Sequence, residues 1–148
     1  MARPRVLLAV GLLVALSGLV ACGGGGSSGG AVDVTLTDYD VILSTMSVGA
    51  GTVDFAIENR GGFVHEVLVV RSDLAVDELP KTADGRFDEG AVGVRVIAEA
   101  SDIPAGGTTE LVEKLDAGGY YLICNLPAEA GDPLSHFGHS MYSPLSVT

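Results

Sequence analysis

Apolar and polar residues alternate along much of the chain with a period of two. The alternation is clearest over 32–36 and 53–57, where a large apolar residue occupies every second position. This period is typical of β-strands. A more continuous apolar run over 64–70 also predicts a strand. Further strands are predicted at 94–98, 108–112, 120–124 and 142–147, and we expect about eight strands in the domain.

Glycine-rich turns separate these strands, at 49–51, 61–62, 106–107 and 118–119. Many short strands joined by such turns predict an all-β domain, namely a Greek-key, antiparallel β-sandwich or barrel. Two segments interrupt the series. Residues 72–91 contain a possible short helix, which Pro80 would stop, and an acidic loop. Residues 125–141 form a second loop, which carries two of the three histidines.

The first 30 residues have a different pattern. Arg3 and Arg5 precede an apolar run over 6–21, as in a secretory signal peptide. The run ends in Leu-Val-Ala followed by Cys22, which resembles the bacterial lipobox, where a signal peptidase cuts before the cysteine and the cysteine thiol carries diacylglycerol. A membrane-spanning helix is the competing interpretation, but the run is shorter than the roughly 20 residues that a span needs.

These features predict three segments. We expect a lipoprotein signal peptide over 1–21, a lipidated Cys22 with a flexible Gly/Ser tether over 22–30, and one domain over 31–148. Ordinary secretion without lipidation is the alternative. The lipid would hold the domain at the extracytoplasmic face of the cell membrane without spanning it, in an envelope of either one or two membranes.

The predicted domain is strongly acidic. The first 30 residues hold two of the eight Lys and Arg and none of the 19 Asp and Glu, so the domain has a formal charge of −13. Such a surface repels nucleic acid and anionic lipid. Solubility, or docking to a basic partner, would account for it.

Cys124 is the single thiol of the predicted domain once Cys22 carries lipid. An internal disulfide is then excluded. A single thiol in an oxidising compartment is either buried and inert, paired with another chain, or bound to a metal.

Other candidate metal ligands are His65, His136, His139 and Met141. Each alone is weak evidence, because such residues more often pack in the interior or on the surface. Together with the Cys124 thiolate, two imidazoles and one thioether form the set that selects copper in a trigonal site with a long axial bond.

Three stretches resemble the cupredoxins, in particular the small bacterial plastocyanin-like blue copper proteins. Residues 58–66 contain Asn-x-Gly and then a histidine, residues 119–127 contain Gly-Tyr-Tyr-x-x-Cys, and residues 136–148 contain a His-aromatic-to-Met loop and a last strand. The resemblance covers most of the chain from 32 to 148. It implies a cupredoxin-like fold that binds one copper ion, as Cu(I) or Cu(II), with four ligands: His65, Cys124, His136 and Met141.

The match departs from the family pattern at two points. Eleven residues lie between Cys124 and His136, more than is usual in the family, so this loop must fold back on itself. Ser140 also stands where the family has glycine, although a turn with positive φ suits glycine best. His139 is the alternative to His136, but it would leave one residue before Met141 instead of four.

The resemblance implies a one-electron carrier that meets redox partner proteins of the membrane or periplasm and is monomeric. No enzyme is predicted, because the chain lacks Gly-x-Ser-x-Gly, a phosphate loop and a second histidine cluster. The alternatives are a copper storage or delivery lipoprotein with the same ligands and a metal-free β-sandwich binding lipoprotein with a buried Cys124. Zinc is the alternative metal.

Overall fold

The computed structural model describes residues 29–148. The predicted signal peptide, Cys22 and all but the last two residues of the predicted tether lie outside this range. Within it, no helix is long and apolar enough to cross a membrane.

Nine strands within residues 29–148 form two sheets. In chain order the strands are β1 (Gly30–Leu36), β2 (Val41–Leu43), β3 (Ser47–Val48), β4 (Gly51–Asn59), β5 (His65–Ser72), β6 (Val94–Ile103), β7 (Thr108–Leu115), β8 (Gly118–Ile123) and β9 (Tyr142–Val147). One sheet has the order β2-β1-β4-β7 and the other β3-β9-β8-β5-β6. The predicted all-β sandwich architecture is confirmed. The possible helix in 72–91 is a single 3-10 turn at Val76–Glu78, and a second turn of this kind lies at Phe137–His139.

Residues 29–148 contain nine strands, in keeping with the predicted total of about eight; β2 and β3, of three and two residues, are too short to show a period. The strand pairing departs from the prediction in one way. The sandwich is not purely antiparallel, since β1 pairs in parallel with β4 and β3 in parallel with β9. Parallel partners require a crossover connection. Alternation along a strand identifies its buried face but not its partner, so the sequence pattern did not reveal these pairs.

The main hydrophobic core lies between the two sheets. On β4, Val53, Phe55 and Ile57 are buried, whereas Thr52 and Asp54 are exposed. This is the burial that the alternation predicts. Cys124 and Met141 belong to the same core cluster, so the packing of the core holds two of the predicted ligands in place.

A second, smaller core covers the opposite face of the five-stranded sheet. There, Leu68 and Val70 of β5 pack with Leu79 and Phe87 from the segment between β5 and β6, and with Phe137 beside the second 3-10 turn. Strand β5 is therefore buried on both faces, which accounts for its continuous apolar run. The long connection after β5 thus packs against the loop that carries His136.

Candidate metal centre

Strand pairing places His65 and Cys124 at the same end of the sandwich. His65 begins β5 and Cys124 directly follows β8. These two strands are antiparallel neighbours, with Leu68 opposite Ile123. The start of one strand therefore lies beside the end of the other, and both side chains are fully buried.

His136 completes a cluster of three donor atoms. Its Nδ1 lies 3.1 Å from His65 Nδ1 and 3.4 Å from Cys124 Sγ, and the Cys124 Sγ to His65 Nδ1 distance is 3.8 Å. Within residues 29–148, these are the three His, Cys, Asp or Glu side chains grouped closely enough to hold a metal ion.

The cluster has the dimensions of a metal site. Nitrogen and sulfur ligands about 2.0–2.3 Å from an ion lie roughly 3–4 Å from one another in trigonal or tetrahedral sites. All three separations fall in that range. In addition, both imidazoles present Nδ1 to the same point, where two lone pairs would repel each other unless a proton or a cation lay between them. The donors present therefore fit a soft, three- or four-coordinate metal ion.

The loop of eleven residues does fold back. The backbone N–H of His136 donates to Leu126 O at 3.1 Å, which closes the loop only two residues after Cys124. Ser135 Oγ donates to Gly85 O at 2.8 Å and accepts from Gly138 N at 3.0 Å. These bonds tie the loop to the segment after β5 and bring His136 next to the thiol.

Met141 is fully buried, and its backbone connects two of the donors. Its N–H donates to His136 O at 3.1 Å, and its carbonyl accepts from Cys124 N at 3.0 Å. Ser140, just before it, adopts the left-handed conformation with φ 69°. The turn therefore has the positive φ for which glycine is best suited, and serine adopts it here.

Burial shifts the pKa values of Cys124 and His65 in the metal-free protein. Desolvation raises the pKa of the Cys124 thiol to about 11. Burial, followed by repulsion from His136, lowers the pKa of His65. A metal ion must therefore displace the thiol proton but finds His65 uncharged, so metal binding is coupled to proton release.

Each imidazole has a carboxylate near its outer nitrogen. His136 Nε2 lies 3.2 Å from Glu129 Oε1, which is within hydrogen-bonding distance. His65 Nε2 lies 3.9 Å from Asp38 Oδ1 and, among the described residues, is the buried side-chain nitrogen or oxygen without a hydrogen bond. Gly62 N holds Asp38 in place through a 2.6 Å bond to Oδ1.

The structure places His139 outside the donor cluster. Its Nε2 pairs with Asp132 Oδ2 at 2.8 Å, and its ring stacks on Tyr39 at a centroid distance of 4.0 Å. Tyr39 also donates to Asp132 and meets His136 edge-on at 5.3 Å. Its φ of 82° is strained for an aromatic residue, so surrounding contacts must hold it there. Tyr39 thus contacts both rings, while His139 takes no part in the donor cluster.

Two asparagines position the segments that carry the donor atoms. Asn59 is fully buried, donates to Phe63 O at 2.8 Å and to Ile103 O at 2.9 Å, and accepts from Gly61 N at 2.9 Å. It therefore holds the turn that leads to His65.

Asn125, next to the thiol, makes a pair of bonds with the Phe87 backbone at 2.7 and 3.0 Å and donates to Glu89 at 2.8 Å. These bonds fix the start of the long loop against the segment after β5.

The sequence did not single out the groups around the donors. Asp38, Tyr39, Phe63 and Glu129 come from three loops, and no sequence spacing marks them. The one available signal was the unusual length of the loop between Cys124 and His136, because an insertion next to a ligand must place its own side chains near the site.

Solved structures share this architecture. An auracyanin from the photosynthetic bacterium Roseiflexus castenholzii superposes with a TM-score of 0.56 at 18% identity, over 83% of this chain and 99% of that one. A variant rusticyanin gives a TM-score of 0.57 at 20% identity, over 84% of this chain and 83% of that one. Auracyanin B gives 0.53 at 18% identity, over 83% and 96%. No family model matches the sequence, and no curated protein matches it.

Fold and geometry together define a two-sheet β-sandwich with a buried His-Cys-His donor cluster at one end. Its fold is that of the cupredoxins auracyanin and rusticyanin. The resemblance found in the sequence is thereby confirmed at the level of the fold.

Proposed function

We propose that this protein binds one copper ion through His65, Cys124, His136 and Met141 and carries single electrons. The observation that supports this most strongly is the convergence of two imidazole Nδ1 atoms and one thiol within 3.8 Å in a buried site. Rusticyanin, which has the same fold, is itself described as a copper protein. Copper fits better than zinc because a thiolate, two imidazoles and a thioether are its characteristic set of ligands.

The copper would supply the redox couple, alternating between Cu(II) and Cu(I). The protein's part is to fix the donors. Cys124 and Met141 stand on the main core, Asn59 holds the turn before His65, and the Leu126 carbonyl holds His136. A donor set that is fixed in advance changes little between the two oxidation states, so each electron transfer requires little reorganisation. Full burial of the three donors also excludes water from the site.

A redox carrier oxidises and reduces its bound copper reversibly, whereas a copper delivery protein releases the metal. For a carrier, cyclic voltammetry of the copper-loaded protein should give one reversible one-electron wave, and a Cu(I) chelator should remove the metal slowly from the buried site. An irreversible wave together with rapid transfer of Cu(I) to the chelator would instead support storage or delivery.

We also propose that Cys22 carries a lipid that anchors the domain at the extracytoplasmic face of the membrane. The support is the small-residue sequence before Cys22, the preceding apolar run and the Gly/Ser tract that follows. Replacing Cys22 with alanine in the full chain should abolish incorporation of a labelled fatty acid into the protein, whereas wild type should take up the label. A Cys22→Ala protein that is labelled as strongly as wild type would contradict lipidation at Cys22.

The partners of such a carrier would be redox proteins of the membrane or periplasm. The formal charge of −13 on residues 31–148 favours those with a basic docking face and disfavours nucleic acid. The protein would act as a monomer held near its partners by the tether.

A further inference from the structure

We propose that Glu129 is a positioning residue that sets the reduction potential of the copper site through its hydrogen bond to His136. The inference rests on the proposed function. It concerns the long loop between Cys124 and His136, whose role the ligand set alone does not explain.

The loop delivers this carboxylate directly to a ligand. Glu129 lies seven residues before His136, and the bond between Leu126 O and His136 N closes the chain around it. The Glu129 Oε1 to His136 Nε2 distance is 3.2 Å. With Nδ1 facing the donor cluster, Nε2 carries the ring proton and donates it to the carboxylate.

The surroundings of His136 make this bond its main polar contact outside the donor cluster. The ring is fully buried, and the aromatic rings of Tyr39 and Phe63 meet it at centroid distances of 5.3 and 6.5 Å. Glu129 retains 38% exposure of its side chain, so it remains reachable by water while its partner is not. The bond therefore joins a buried imidazole to a carboxylate at the protein surface.

A carboxylate acceptor has a specific electronic consequence. It increases the basicity of the imidazole and, with its negative charge, favours the more highly charged metal state. Bound copper is then held more tightly as Cu(II) than it would be with a neutral acceptor. His65 lacks an equivalent bond, because Asp38 lies 3.9 Å from its Nε2. The two imidazoles are therefore unequal, and Glu129 acts on only one of them.

The decisive experiment compares Glu129→Gln with wild type in the full chain, purified in detergent and loaded with copper. Glutamine keeps the size and a carbonyl acceptor but removes the charge. Removing a residue that is hydrogen-bonded to a metal-bound histidine typically lowers metal affinity about 10–100-fold. We expect Cu(II) affinity to fall about tenfold relative to Cu(I) affinity, which raises the reduction potential by about 59 mV for one electron. Glu129→Ala, which also removes the acceptor, should shift it at least as far.

Asp132→Asn is the matched control. It removes the same charge from the same loop, but the Asp132 carboxylate contacts His139 and Tyr39 and not a ligand. A potential that moves equally in Asp132→Asn and Glu129→Gln would show a general charge effect and overturn the inference. Unfolding curves of the metal-free variants should coincide with that of wild type, which separates tuning from loss of structure.

A second measurement does not depend on copper. Nitrogen NMR of the metal-free protein should show His136 protonated at Nε2 in wild type, and this preference should weaken in Glu129→Ala. Protonation at Nδ1 in wild type would contradict the proposed bond. A wild-type chain that takes up no copper would overturn the proposed function and this inference together. A normal copper site whose potential is the same in Glu129→Gln would overturn the inference alone.

Discussion

Replacing Cys124 with serine is expected to reduce copper affinity by more than about 100-fold. Removing a residue that is only hydrogen-bonded to a metal ligand already lowers metal affinity about 10–100-fold, and Cys124 is proposed to bind the metal itself. The thiolate is the softest donor in the cluster and the one that distinguishes copper from harder cations. A buried hydroxyl does not replace it, because the oxygen is a hard donor and does not ionise at neutral pH. Copper content after dialysis against a competing chelator measures the effect.

His139→Ala is the matched control for that experiment. His139 belongs to the same loop as His136, but its Nε2 is bonded to Asp132 and its ring stacks on Tyr39. This variant should retain one copper per chain, whereas Cys124→Ser should retain little. Stoichiometric copper in Cys124→Ser, or its loss in His139→Ala, would contradict the assigned ligands.

Replacing Asn59 with alanine is expected to lower the free energy of unfolding by about 3 kcal/mol, because three hydrogen bonds of about 1 kcal/mol each are lost in a buried place. The Phe63 and Ile103 carbonyls would lose the partner that ties them together. Since these bonds hold the turn before His65, the copper spectrum of the variant should also broaden or shift. Urea unfolding of the metal-free chain measures the first effect, and absorption spectroscopy the second.

Asp54→Ala on the same strand provides the comparison. Asp54 is exposed, five residues before Asn59, and faces away from the core. Its replacement should change stability by less than about 0.5 kcal/mol. An Asn59→Ala protein as stable as Asp54→Ala would show that the buried amide is not what holds this turn.

Much of the architecture follows from local pattern. Val53, Phe55 and Ile57 are buried at every second position, so the strand and its inner face are both readable from the sequence. Strand pairing is different, because it depends on contacts between distant segments. The parallel pairing of Gly30–Leu36 with Gly51–Asn59 joins two strands of one sheet that are separated in the chain by β2 and β3, and no local signal encodes it.

Two members of the donor cluster were predictable from their places at strand ends. His65 and Cys124 lie at strand ends, where neighbouring antiparallel strands bring them together. His136 required more than pattern, because its approach depends on the bond to Leu126 and on Ser135 bonding to Gly85. Glu129 was not predictable at all, since its position is fixed only by the folded loop.

If His65, Cys124, His136 and Met141 form a copper site with a thiolate ligand, the visible absorption spectrum of the full chain titrated with Cu(II) should show it. We expect an intense thiolate-to-copper band that reaches its maximum at one copper per chain and is bleached by a reductant. A spectrum with only the weak absorption of copper bound by nitrogen and oxygen would contradict this assignment.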